Sequence, residues 1–255
     1  MNQKKDTADN EAVIAALKRA EKMRIDFVAN VSHELRTPLT SIKGYTETLI
    51  EDVEHGRAVE PEFLNIILKN SNRLLSLIND LLDLSAIESG ADHLHPALID
   101  LKEFSGTVLD ALQHSAEKKN TEITLEVKTP QLIADPKRTE QVMVNLVENA
   151  IKYCPTDSKV RISWEEATTE QGREILLKVS DNGPGIPEKH LDRLFERFYR
   201  IDKGRSRDMG GTGLGLSIVK HILQRHHGSI EVDSILGKGT TFTCRFPSPR
   251  TLTKS

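Results

Sequence analysis

Between Pro61 and Ser89 the apolar residues Phe63, Ile67, Leu74, Leu77, Leu81 and Leu84, with Asn70 as the one polar member, step by four and three in alternation. A heptad stripe of this kind is compatible with one outcome, a long helix with a narrow seam that must be covered by other helices. Upstream, from about Val13 to Val53, Leu17, Val28, Val31, Leu35, Leu39, Ile42, Leu49 and Val53 fall mostly at spacings of three, four or their multiples, which predicts a second amphipathic helix. The segment EHGRAVE separates the two, and Pro61 sits where a first helical residue needs no amide donor. Two antiparallel helices bury only one stripe each, so the pattern predicts a homodimeric four-helix bundle. Asn70 either sets register within that seam or faces solvent near a bundle end.

At SGADHLHP, Gly90 and Pro96 break the helical pattern and the composition changes. Downstream the sequence predicts helices over 101–119, 138–153 and 214–226. Between and after them it predicts strands in TEITLEV, VRISW, EILLKVSD, SIEVDS and TTFTCRF. Helices and strands mix without strict alternation, which predicts an α+β sandwich with helices on one face of a mixed sheet. The expected organisation is a helical hairpin over 1–90, a hinge over 91–96 and an α/β domain over 97–255.

Composition excludes several functional classes. With 35 basic and 38 acidic residues in 255, and a formal net charge of -3, no overall basic field argues for nucleic acid or an anionic membrane. No apolar run approaches the ~20 residues needed to cross a bilayer, and MNQKKDTADNEA is too polar for a signal peptide. The chain reads as soluble and cytoplasmic. Cys154 and Cys244 lie far apart without metal-type spacing, read as reduced thiols, and receive no chemistry.

Four stretches carry candidate chemistry. In VSHELRTP, His33 and Thr37 share a helical face at i and i+4, with Glu34 about 100° around. A neutral imidazole is a nucleophile at one nitrogen when a carboxylate takes the proton on the other; an exposed His on a charged face is the alternative. Pro38 deletes the donor that would meet the carbonyl of Glu34, and predicts a bend and a weak point one turn past His33. In NLVENAIKY, Asn145 and Asn149 leave one helical face. Their amide oxygens suit Mg²⁺ already held by phosphates, unless the pair is simply a polar face; Lys152 and Tyr153 follow one turn later. In DNGPGIP, Asp181 ends a strand where it can accept from an exocyclic amine, while Gly183 and Gly185 let backbone close over a flat ring. In GGTGLGLS, glycines precede a helix start whose amides, with the Thr212 hydroxyl, can cradle phosphate. The preceding RIDKGRSRDM, with Arg200, reads as a lid.

Taken in order and spacing, HELRTPLTSIKGY, NLVENAIKY, DNGPGIP, LFERFYR, GGTGLGLSIVK and GKGTTF resemble sensor histidine kinases of two-component systems, and most of all the phosphate-regulon type, from about residue 20 to 248. The resemblance implies a dimeric phosphotransfer hairpin followed by an ATP-binding domain of the gyrase, chaperone and histidine-kinase type. By that match His33 takes the γ-phosphoryl of ATP and passes it to an aspartate of a response-regulator receiver domain. Glu34 is the base, and Thr37 orients water for dephosphorylating the regulator. Asn149 with Asn145 holds Mg²⁺; Lys152 and Tyr153 touch phosphate and nucleotide; Asp181 reads the adenine amine. Gly211, Thr212, Gly213, Leu214 and Gly215 shape the loop over the phosphates, and Thr240 supports the adenine pocket. Where related ATP hydrolases carry a water-activating Glu, this chain carries Asn145. Any sensor or membrane segment would lie upstream; the chain is either a soluble kinase or, as the expectation, the cytoplasmic portion of a membrane-anchored sensor.

Overall fold

The structure, a computed structural model, describes residues 2–89, 93–169, 172–202 and 211–247. Residues 203–209 of the expected lid (200–209) and the start of the expected hinge lie outside the described residues. The chain forms two compact units, Met1–Asn79 and Asp80–Ser255.

The first unit is a helical hairpin. Helix α1 (Asn2–Glu54) is assigned without interruption through Pro38, whose ring is buried. The proline forfeits one backbone hydrogen bond, a cost on the order of 3 kcal/mol, and here its apolar ring is part of the hairpin interior, which offsets some of that cost. Gly56, at φ +66°, turns the chain, and the Arg57 guanidinium closes the turn on Asp52 at 2.6 Å. Helix α2 (Pro61–Ser89) then runs back with proline at its first position. Three contacts fix the antiparallel register: the Tyr45 and Phe63 rings with centroids 5.2 Å apart, Asn70 Nδ2 donating to Ser41 Oγ at 3.3 Å, and Arg73 to Glu34 at 2.8 Å. Asn70 is therefore a register contact across the hairpin.

The α2 seam lies inward, with Leu77 fully buried and Phe63, Ile67 and Leu74 half-buried. A second apolar stripe is left over. Leu64, Leu68, Leu75 and Ile78 on α2, and Val28, Leu39, Ile50 and Val53 on α1, are all exposed. Val28, Leu39 and Val53 belong to the seam expected from sequence and are nevertheless exposed, because α1 carries more apolar surface than one partner helix covers.

The second unit begins with the last turns of α2, where Asp83 accepts from Arg138 at 3.2 Å and from Gln141 at 2.9 Å. Strand β1 (Ala97–Asp100) leads into α3 (Leu101–Glu117), followed by β2 (Glu122–Val127), β3 (Gln131–Ala134) and α4 (Pro136–Tyr153). A hairpin of β4 (Lys159–Thr169) and β5 (Gly172–Asp181) precedes the short α5 (Glu188–Leu191). Helix α6 (Gly215–Arg225) and the strands β6 (Ser229–Ile235) and β7 (Gly239–Pro247) complete the unit. Five strands form one mixed sheet in the order β2-β4-β5-β7-β6, with β2 and β4 parallel and the other pairs antiparallel.

The sequence patterns missed the small antiparallel sheet β1-β3. Helix starts are set by side chains: Asp100 accepts from the amides of Lys102 and Glu103, and Asp135 from that of Arg138, as N-caps do. The core lies between α3, α4, α6 and the sheet. Trp164, Leu177, Ile162 and Phe246 meet Met143, Leu146, Ile218 and Ile222, all fully or almost fully buried. The Trp164 indole is dry but satisfied, donating to Ser105 Oγ at 2.9 Å.

Candidate functional site

In the hairpin, His33 is exposed while Glu34 and Thr37 are half-buried. One face of α1 thus offers an open imidazole. The Thr37 hydroxyl donates back to the His33 carbonyl at 3.1 Å. Glu34 is held by Arg73 from α2, both side chains being only 13% and 11% exposed. A charged pair so little exposed to water is screened less than a surface ion pair, and losing either partner would leave the other charge uncompensated. Arg73 was invisible to sequence reasoning, since 39 residues separate the partners and a charge on a heptad helix carries no label for its partner.

The second unit gathers the other candidates around the ends of α4, β5 and β7 and the start of α6. Asp181 ends β5, with Val160 opposite it on β4 and Thr240 opposite it on β7. Thr240 is buried, and its hydroxyl pairs with that of Ser234 at 2.9 Å, so it buttresses the strand beside Asp181. The Asp181 carboxylate accepts from the Gly183 amide at 2.8 Å. A side chain at Gly183 would strike Cys154 Sγ, at 2.5 Å from the added carbon. Gly185, at φ +67°, leaves room for the carbonyl of Ile235, which an added carbon would meet at 2.2 Å. Gly239 is tighter still, 1.9 Å from the Asp181 carbonyl at φ +118°. Gly239 stands in GKGTTF, one of the motifs carrying the resemblance, but spacing along the chain gives it no role of its own.

On α4, Asn145 and Asn149 are both half-buried. Asn145 Nδ2 donates to the Gln141 carbonyl at 2.9 Å, and its Oδ1 lies where any side chain on Gly215 would be, 2.5 Å from the added carbon. Gly215 thus lets α6 start against α4. Tyr153 is exposed, with the Lys152 ammonium 5.6 Å from its ring centre. Gly213, at φ +77°, packs on the backbone of Phe198 and accepts its amide at 2.8 Å. Arg200 donates to the Gly211 carbonyl, which ties LFERFYR to the glycine loop. Leu214 is fully buried and precedes an α6 start that no side chain caps, so the first amides of that helix remain available to an anion. The Thr212 hydroxyl accepts from the Leu214 amide at 3.2 Å and hydrogen-bonds Asp80, whose carboxyl burial pushes above the usual range against that bond. Among the described residues no cluster of three or more His, Cys, Asp or Glu could hold a metal, so any cation here would depend on amide oxygens and on its ligand's own oxygens.

Both parts of the chain match known families. Residues 23–90 match the His Kinase A (phospho-acceptor) domain, and residues 134–250 match the histidine kinase-, DNA gyrase B- and HSP90-like ATPase family. The chain belongs to the sensor histidine kinases. Its second unit carries that family's ATP-binding domain. This family member is 41% identical over 237 residues to the phosphate regulon sensor protein PhoR of Pseudomonas aeruginosa, covering 91% of the chain and 52% of PhoR. It superposes on the Acinetobacter baumannii histidine kinase AdeS with a TM-score of 0.70 at 29% identity, covering 86% of this chain and 98% of AdeS. Histidine kinase ThkA, solved in complex with the response regulator protein TrrA, gives 0.70 at 26% identity, covering 92% of this chain and 65% of that one. The chain spans between 37% and 55% of the length of the curated relatives PhoR and WalK. Among the described residues no helix is long and apolar enough to cross a membrane.

Proposed function

We propose that this chain is the catalytic portion of a two-component sensor, an ATP-dependent protein-histidine kinase that phosphorylates its own His33 and then an aspartate on a response-regulator receiver domain. The observation that carries this is the exposed His33, next to a Glu34 fixed by Arg73, in the same chain as a cradle built from Asp181, the glycine loop and the uncapped start of α6. In the first step a neutral imidazole nitrogen attacks the γ-phosphorus, the bond to the ADP oxygen breaks, and Glu34 takes the proton from the other ring nitrogen. Phosphoryl transfer needs an in-line nucleophile and neutralised charge rather than covalent help from the protein. The first amides of α6, from Gly215 on, with Lys152, supply part of that charge, and Tyr153 flanks the nucleotide.

Asn149 fits a role in holding Mg²⁺ through its amide oxygen, with Asn145 beside it; the ion would neutralise phosphate charge when bound. Asp181 accepts from the adenine amine, and Thr240, Gly183 and Gly185 shape that pocket. Arg200, Gly211 and Thr212 act at the loop. Thr37 serves the reverse activity, orienting water to remove phosphate from the regulator. The phosphotransfer hairpin comprises 1–90 and the catalytic domain 97–255, joined by a hinge at 91–96. The exposed stripe on both hairpin helices is the surface that a second copy covers in a four-helix bundle. ThkA's complex with a regulator supports the choice of partner. The chain's span of only part of PhoR and WalK supports reading it as the cytoplasmic portion of a membrane-anchored sensor.

Incubating the chain with Mg²⁺ and γ-labelled ATP should give a label that is acid-labile and alkali-stable, mapping to His33. His33→Gln should abolish it while ATP binding persists. Label on any other residue rejects the assignment.

A further inference from the structure

Cys154 is the residue after α4, and Pro155 follows it. A residue before proline is driven out of the helical region, and Cys154 is extended at φ -73°, ψ 152° while its amide still closes on the Ala150 carbonyl. The chain bend is clamped from outside: the Lys119 ammonium donates to the carbonyls of Lys152 at 2.6 Å and Cys154 at 3.0 Å. This bend turns the side chain toward the end of β5. Sγ there lies against Gly183, so close that one added carbon would meet the sulfur at 2.5 Å and Asp181 Oδ1 at 2.8 Å. The thiol is buried, and Sγ and Asp181 Oδ1 flank the same point beside Gly183.

We infer that Cys154 is a positioning residue for Asp181: its S–H, together with the Gly183 amide, locks the carboxylate at one orientation and so sets the preference for a purine that carries an exocyclic amine. The inference rests on Asp181 being the base-reading group, as proposed above. A carboxylate has about four acceptor sites; donors fixed on the protein side leave the remaining ones pointing at a ligand, and a locked acceptor discriminates against a base lacking the donor. The thiol must stay protonated to do this. Burial, reinforced by the Asp181 charge, pushes it up to about 12, so it is a donor throughout the physiological range and a poor nucleophile. Cys244, the other thiol, is fully buried on β7, and burial alone raises its pKa.

The test compares binding of ATP and ITP, whose base has an oxygen in place of the amine, to the wild-type chain and to Cys154→Ala, Cys154→Ser and Asp181→Asn, with melting temperatures alongside. Cys154→Ala should narrow the ATP-to-ITP affinity ratio roughly tenfold, as expected for about one hydrogen bond to a charged group, and Cys154→Ser, which keeps a donor, should restore most of it. The inference is overturned if Asp181→Asn narrows the ratio and Cys154→Ala does not, or if Cys154→Ala weakens both nucleotides equally in step with a lower melting temperature. If Asp181→Asn leaves the ratio unchanged, the base-reading role of Asp181 fails first, and the inference with it.

Discussion

The hairpin and the sandwich solve the burial problem differently. The sandwich unit closes its core within one chain, with Trp164, Leu177, Ile218 and Phe246 almost wholly out of water. The hairpin does not. It buries one stripe and leaves Leu64, Leu68, Leu75, Ile78 and their counterparts on α1 exposed, more contiguous apolar surface than a monomeric helical pair can leave wet without consequence. The difference separates a unit that is stable alone from one whose stability depends on protein concentration. It also matches the proposed division of chemistry, with the proposed nucleotide cradle on the closed unit and His33, the proposed phospho-acceptor, on the open one.

The largest expected effect that tests this contrast is Trp164→Ala, which removes the biggest buried side chain and leaves Ser105 without its donor. It should cost about 3–5 kcal/mol, seen by calorimetry as loss of the sandwich transition with the hairpin transition unmoved. If both fall together, the two units are not independent. A smaller effect, on the order of 2 kcal/mol per protomer from one leucine returned to water, is expected for Leu68→Glu. Sedimentation should then show monomer where the unaltered chain is dimeric, while ATP affinity is unchanged; an unaltered dimer would place the interface elsewhere.

The smallest expected effect concerns acid. Burial alone would raise the Asp135 carboxyl, but the amides of His95 and Arg138 and the nearby charges of His226 and Arg138 bring it below its usual value. A depressed pKa contributes stability above the unfolded value and loses it as pH falls through the folded one. The sandwich should therefore lose stability below about pH 4, and Asp135→Ala should remove about 1 kcal/mol at neutral pH and flatten that acid slope. A slope unchanged by the substitution would mean other carboxylates govern it.

Much of this was legible in the sequence. The 4/3 stepping from Phe63 to Leu84 fixed the hairpin, because helical period is a local property of side-chain spacing. The larger strands and helices of the sandwich were found within a few residues for the same reason. Strands β1 and β3 were not. At four residues each they are too short for alternation to stand out, and the exposed apolar Leu98 and Ile133 mask the pattern set by the buried Ile99, Leu132 and Ala134.

The candidate residues divide the same way. His33, Asn149, Asp181 and the glycine loop stand in motifs that are weak one by one, His33 and the Asn pair reading equally as bland surface, and only their common order and spacing named them from sequence. Arg73, Lys119, Cys154 and Gly239 were not, since each matters through what it touches: Glu34, two carbonyls at the end of α4, Asp181 and Gly183, and the Asp181 carbonyl. Periodicity and caps are written in neighbours along the chain, and these fixed which elements form. The partners of a charge, a thiol or a missing side chain lie tens of residues away, and only packing in three dimensions decided them.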